Sequence, residues 1–111
     1  MQITTETFGE VVVVHTPDDL MEETARLLSE AVEGHVRQGC SAIVLQMDRT
    51  DAYDSVGLTA LLDLQDLARQ AGGAVKISGL ADPGRKIFEL TRLDQRFDLF
   101  ESVIDAVASF R

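Results

Sequence analysis

The stretch TDAYDSVGLTALLDL, Thr50 to Leu64, sets the acids Asp51 and Asp54 beside the hydroxyl of Ser55, where a strand gives way to a leucine-rich helix. An aspartate ahead of a helix accepts a hydrogen bond from a free first-turn amide, so Asp54 is expected as the N-cap. Ser55 then falls in the first turn, where amides point outward and the helix dipole favours negative charge. A phosphate on that hydroxyl would add about −1.5 to −2 charges and three acceptor oxygens next to Asp54 and near Asp51. Helix amides partly offset the charge in the free protein, but a partner docked on this loop would meet a bulky, repulsive dianion. The arrangement suits an interface switched off by modification. Serine is also common at helix starts for purely local reasons, so these residues alone leave both readings open.

Other candidate chemistry is weaker. GLADPGRK, Gly79 to Lys86, lies between a strand and a helix and nearly spells a phosphate-cradling loop. Arg85 stands where the phosphate-reaching lysine belongs, and Lys86 where a magnesium-binding hydroxyl belongs; a turn followed by a proline-started helix explains the segment. Asp18 and Asp19 follow one strand and Asp48, Asp51 and Asp54 the next, an acid set that a magnesium-dependent phospho-aspartate receiver would use. Such a site also needs a lysine at the end of a late strand, whereas Lys76 lies inside its strand and Lys86 inside a helix. His15 and His35 stand apart with no glycine-serine elbow and no Cys/His cluster, so neither a hydrolase nor a metal site takes shape. Cys40, the sole cysteine, has no internal disulfide partner and reads as a small apolar residue ahead of a strand.

With 111 residues, the chain matches one ordinary domain with a single core. Hydrophobic residues at 45% and charged residues at 26% give a globular balance. A net charge of −9 opposes nucleic acid and anionic membrane surfaces, which are bound through clustered basic side chains. No apolar run approaches a membrane span, and MQITTETFGE lacks the basic and apolar regions of a secretory signal, so the cytoplasm is the expected compartment.

The elements that position Ser55 follow from periodicity. QITTETFGEVVVVHT reads as two short strands about a turn at Gly9, the second wholly apolar and therefore central. A helix with Leu20, Leu27, Leu28, Ala31, Val32 and Val36 in register is expected to open at the acids and Pro17 and to stop at Gly39, with Gly34 weakening its last turns. SAIVLQM is a buried-type strand, and Ser55 to Ala71 a second helix closed by Gly72 and Gly73. AVKIS follows as a strand. Asp82 and Pro83 are expected as N-cap and first residue of a helix carrying Ile87, Phe88 and Leu90. RFDLF is extended, and Ser102 starts a last helix with Val103, Val107 and Phe110 on one face. The order ββαβαβα(β)α implies a mixed, mostly parallel sheet with an N-terminal hairpin and about four helices, in which loops at the carboxyl ends of strands meet ligands and partners.

This pattern resembles the STAS domains, and in particular the small stand-alone anti-sigma factor antagonists of bacterial partner-switching systems. The likeness runs over nearly the whole of residues 1–111, read as a single STAS domain. It rests on the hairpin, the acidic opening of the first helix, AIVLQMD, DSVGLTALL, AGGAVKISGL and KIFELTRL. The family's central loop reads Asp-Ser-Ser-Gly-Leu or a close variant, and Asp54, Ser55, Gly57 and Leu58 match it. The resemblance implies that Ser55 is the phosphoacceptor and that Asp18, Asp19, Asp51, Asp54, Val56, Gly57 and Leu58 belong to the partner-binding surface. Val56 replaces the second serine, and HTPDDL departs from the usual glycine and single acid before the first helix.

It further implies a phosphoprotein that is a binding partner and not an enzyme, with no cofactor of its own. A serine kinase that doubles as anti-sigma factor would bind the unmodified form and phosphorylate it with its own ATP and magnesium. A phosphatase would reverse this, and the signalling output would be transcription regulation. Self-pairing as a homodimer stays open. The alternative within the same fold is an unphosphorylated scaffold unit or an accessory subunit of a transport system.

Overall fold

The computed structural model describes residues 3–111; Met1 and Gln2, at the start of the first expected strand, lie outside the described residues. The hairpin forms as β1 (Thr4–Phe8) and β2 (Val11–His15), antiparallel about Gly9. β-branched residues fill β2, and Val11 to Val14 are all buried, which is what a strand covered on both faces requires. Two further strands, β4 (Ala42–Gln46) and β6 (Ala74–Ser78), run parallel to β2. With the short β7 (Leu99–Phe100) they make a five-stranded sheet of order β1-β2-β4-β6-β7.

Alternation along these strands sorts the core into two layers. Val12, Val14, Ile43, Leu45, Val75 and Ile77 face α1 (Glu22–Arg37), α2 (Ser55–Gln70) and α3 (Asp82–Thr91), where Leu28, Val32, Leu61, Leu64, Ala68 and Phe88 complete the larger cluster. On the other side Val11, Val13 and Val44 pack against Ala106 and Val107 of α4 (Val103–Ala108) and against Phe110. Lys76 belongs to this second face. Its ammonium donates to the carbonyl and hydroxyl of Ser109 and lies 4.2 Å from the Phe110 ring centroid, fastening α4 to the sheet. It is thus directed away from the acidic loops, contrary to what a phospho-aspartate receiver would need.

Three local expectations are corrected. The first helix does not open at Pro17: Asp19–Leu20 form a two-residue strand, β3, parallel to β5 (Ala52–Tyr53), and the helix begins only at Glu22. With the chain extended there, the helix start falls to Thr24, whose hydroxyl accepts from the Met21 amide at 2.8 Å and donates to the Asp19 carboxylate at 2.9 Å. The cap of α3 is Ala81, one residue earlier than expected, so Asp82 meets the helix dipole from inside the first turn. Leu90 is on the solvent side of α3, 83% exposed, while Phe88 alone of the three named apolar residues is fully buried.

Gln65 is an unforeseen part of the scaffold. The β7 strand pairs only with Ile77 and Ser78, so the edge of β6 at Val75 has no strand beside it. The Gln65 side chain, 1% exposed, fills the vacancy: its oxygen accepts from the Val75 amide at 2.7 Å and its nitrogen donates to the Arg96 carbonyl at 2.8 Å. A buried amide that would otherwise be orphaned is thereby satisfied.

Candidate functional site

Loops after β2 and β4 converge at the carboxyl end of the sheet, and the small β3–β5 ladder joins them. Asp19 pairs with Ala52 and Leu20 with Tyr53; the Asp51 amide donates to the Asp18 carbonyl at 3.0 Å and the Asp54 amide to the Leu20 carbonyl at 3.3 Å. Two acid-bearing loops that are distant in sequence thus become one surface. A buried hydroxyl relay fixes them from below. Thr16 and Thr50 Oγ1 lie 2.7 Å apart, Thr50 donates to the Pro17 carbonyl, and Thr16 Oγ1 lies 3.2 Å from the Gln46 carbonyl at the end of β4. Thr50 is 0% exposed. Its place in the relay could not be read from a lone threonine in a loop sequence.

On this platform α2 starts as expected. Asp54 is extended at the N-cap, and its carboxylate accepts from the Gly57 amide at 2.8 Å. Capping therefore falls to Asp54, and Ser55 is the exposed first residue of the helix. Val56 beside it is 47% exposed. Gly57 is buried for a specific reason: a Cβ there would sit 1.9 Å from the Leu20 carbonyl oxygen, so only glycine lets the helix start lie against β3. Leu58 is half-buried against the larger core and anchors the same turn.

The remaining acids divide by role. Asp18 is exposed and reaches Arg49 at 3.4 Å, a pair screened by solvent. Asp19 is held by Thr24 at the foot of α1. Asp51 is exposed on the loop. Ser55 and Val56 open onto a groove of about 360 Å³ between α1 and α2, lined also by Glu22, Arg26, Thr59 and Asp63. Among the described residues, no group of three or more His, Cys, Asp or Glu side chains is arranged to hold a metal ion.

Tyr53 braces the platform from behind, its ring edge-on to Phe88 of α3 at 6.5 Å between centroids. Burial, aided by the negative charge of Asp51, pushes its hydroxyl pKa up to about 12. The unfolded chain would ionise near 10, so this contribution to stability is complete below pH 10 and is lost as pH rises towards 12. The chain has one tyrosine and no tryptophan, so phenolate absorbance reports this residue alone. A titration at 25 °C should find the phenol largely protonated at pH 10.5 while the fold persists; half-ionisation near pH 10 in the folded protein, the value of a free tyrosine, would refute the packing described.

A STAS domain family model matches residues 2–106. The chain belongs to the STAS domain family. Solved structures with the same fold include a candidate anti-sigma factor antagonist of Thermotoga maritima, with a TM-score of 0.89 and 20% identity over 98% of this chain and 94% of that one. Another is an anti-sigma factor antagonist of Mycobacterium paratuberculosis, at 0.84 and 23%, covering 99% and 93%. A third is the Bacillus cell fate determinant SpoIIAA in its phosphorylated form, at 0.77 and 18%, covering 98% and 99%. At these identities the likeness is one of fold. No curated protein matches the sequence. The STAS sheet, with four α-helices about a mostly parallel five-stranded core, is the architecture expected from the order of elements. No helix among the described residues is long and apolar enough to cross a membrane.

Proposed function

We propose that this STAS domain is an anti-sigma factor antagonist of a partner-switching system, and that Ser55 is its phosphoacceptor. The observation that carries the reading is the division of labour at the start of α2: Asp54 makes the cap, and Ser55 stands exposed at the helix N-terminus. With the cap made by Asp54, the helix start does not depend on the Ser55 hydroxyl, which stands on the exposed side of the first turn. Around it, Asp18, Asp51, Asp54 and Val56 form the docking face, with Asp19, Gly57 and Leu58 holding that face in shape.

In this reading the domain is a substrate and a binding partner in the cytoplasm, with no turnover of its own. A serine kinase acting as anti-sigma factor binds the unmodified face and transfers phosphate to Ser55 from its own ATP. The modified domain lets go, and a phosphatase restores it. The solved phosphorylated state of SpoIIAA, which shares the fold, supports a phosphate-dependent role for this architecture.

Incubation with the cognate kinase, ATP and magnesium, followed by mass spectrometry of the peptide around residue 55, tests the assignment. One phosphate at Ser55, absent from Ser55→Ala, is the expected result. No phosphate would favour a scaffold or transport accessory role, and phosphate on an aspartate would favour a receiver; either outcome would overturn the proposal.

A further inference from the structure

The groove between α1 and α2 holds one cation among its lining residues, Arg26, and it shares that lining with Ser55. Arg26 now reaches down its own helix to Glu30 at 3.2 Å, with both side chains more than 60% exposed. Such an exposed pair, with the base N-terminal to the acid, is the weaker orientation for a helical i,i+4 bridge. Helical side chains lean towards the N-terminus, which for Arg26 is the end of α1 that borders Ser55.

We infer that phosphorylation of Ser55 draws Arg26 away from Glu30 and across the groove, so that its guanidinium binds the phosphate and ties the start of α2 to α1. A dianion outcompetes a single solvated carboxylate, and a guanidinium matches two phosphate oxygens with parallel N–H donors. Thr59, one turn beyond Ser55 in the same lining, offers a hydroxyl donor. Glu22 and Asp63 in the groove and Asp54 at the cap all repel the phosphate, which leaves Arg26 as its counter-ion among the lining residues. The modified domain would then differ from the unmodified one in two ways: added charge at Ser55, and a cation withdrawn from the outer face of α1.

This inference rests on Ser55 being the modified residue, and its test avoids the kinase. Phosphoserine is installed at position 55 during synthesis, and its second ionisation is followed by ³¹P NMR in the parent sequence, in Arg26→Ala and in Glu30→Ala. Phosphoserine ionises near pH 6 when free. The parent is expected about half a unit or more below Arg26→Ala, with Glu30→Ala at least as low as the parent. The difference should collapse in about 1 M salt, where screening reaches ~3 Å. Equal values in the parent and Arg26→Ala would overturn the clamp. Failure of a kinase to modify Ser55 would instead count against the proposed function and leave this measurement standing.

Discussion

Gly57→Ala is expected to destabilise the domain by about 2–3 kcal/mol, the upper part of the range for forcing extra volume into a packed site. The added methyl would meet the Leu20 carbonyl at 1.9 Å, and that obstacle is backbone, which cannot rotate aside. Relief requires either lifting the first turn of α2 or parting β3 from β5, and the Asp54–Leu20 hydrogen bond is lost in both cases. Gly34 provides the internal control. It lies within α1, and a Cβ there meets nothing within 4 Å. Gly34→Ala should therefore stabilise by about 0.5–1 kcal/mol through helix propensity alone. Urea midpoints of the two variants should move in opposite directions. A neutral Gly57→Ala would show that the helix start does not rest on β3 as described.

Much of the fold was legible because its signals are local. Val11 to Val14, AIVLQ and AVKIS announce buried strands by their apolar runs, and the leucines of α2 repeat at helical spacing. Asp54 and Ser102 could be named as caps because a short polar side chain before an apolar periodic run has one common use; both bonds are present, to Gly57 and Asp105. What escaped was non-local. The strand β3 has two residues and exists because Ala52–Tyr53 lies alongside it; from sequence, Asp18 and Asp19 look like the acidic opening of a helix. Gln65 reads as a surface residue until the short β7 exposes a need for its amide. A glycine at position 57, lacking a side chain, permits a close approach, and only the tertiary structure shows that the approaching group is the Leu20 carbonyl. The likeness of HTPDDL to a helix start hid the device that joins the two halves of the candidate docking face.

The other large expected effect concerns the kinase. Phosphate on Ser55 would place about −1.5 to −2 charges on a face that already carries Asp18, Asp51 and Asp54. A partner that recognises the unmodified face must be complementary to those carboxylates and to a small hydroxyl, so the modified residue presents excess charge and bulk where the contact is closest. Taking a dianion for which the partner has no pairing group out of water at that contact costs several kcal/mol. Affinity is therefore expected to fall by about 100-fold or more, equivalent to ~2.7 kcal/mol. Ser55→Ala should bind within a few-fold of the parent, because the Asp54 cap, the Gly57 contact and the Leu58 anchor are untouched. Ser55→Asp, with one charge and less bulk, should fall between the two. The decisive measurement is a titration of the kinase, without nucleotide, against one preparation of the domain before and after stoichiometric phosphorylation at Ser55, with a dephosphorylated sample as the return leg. The account predicts a loss of about 100-fold that dephosphorylation restores; equal affinity for the two forms would contradict it.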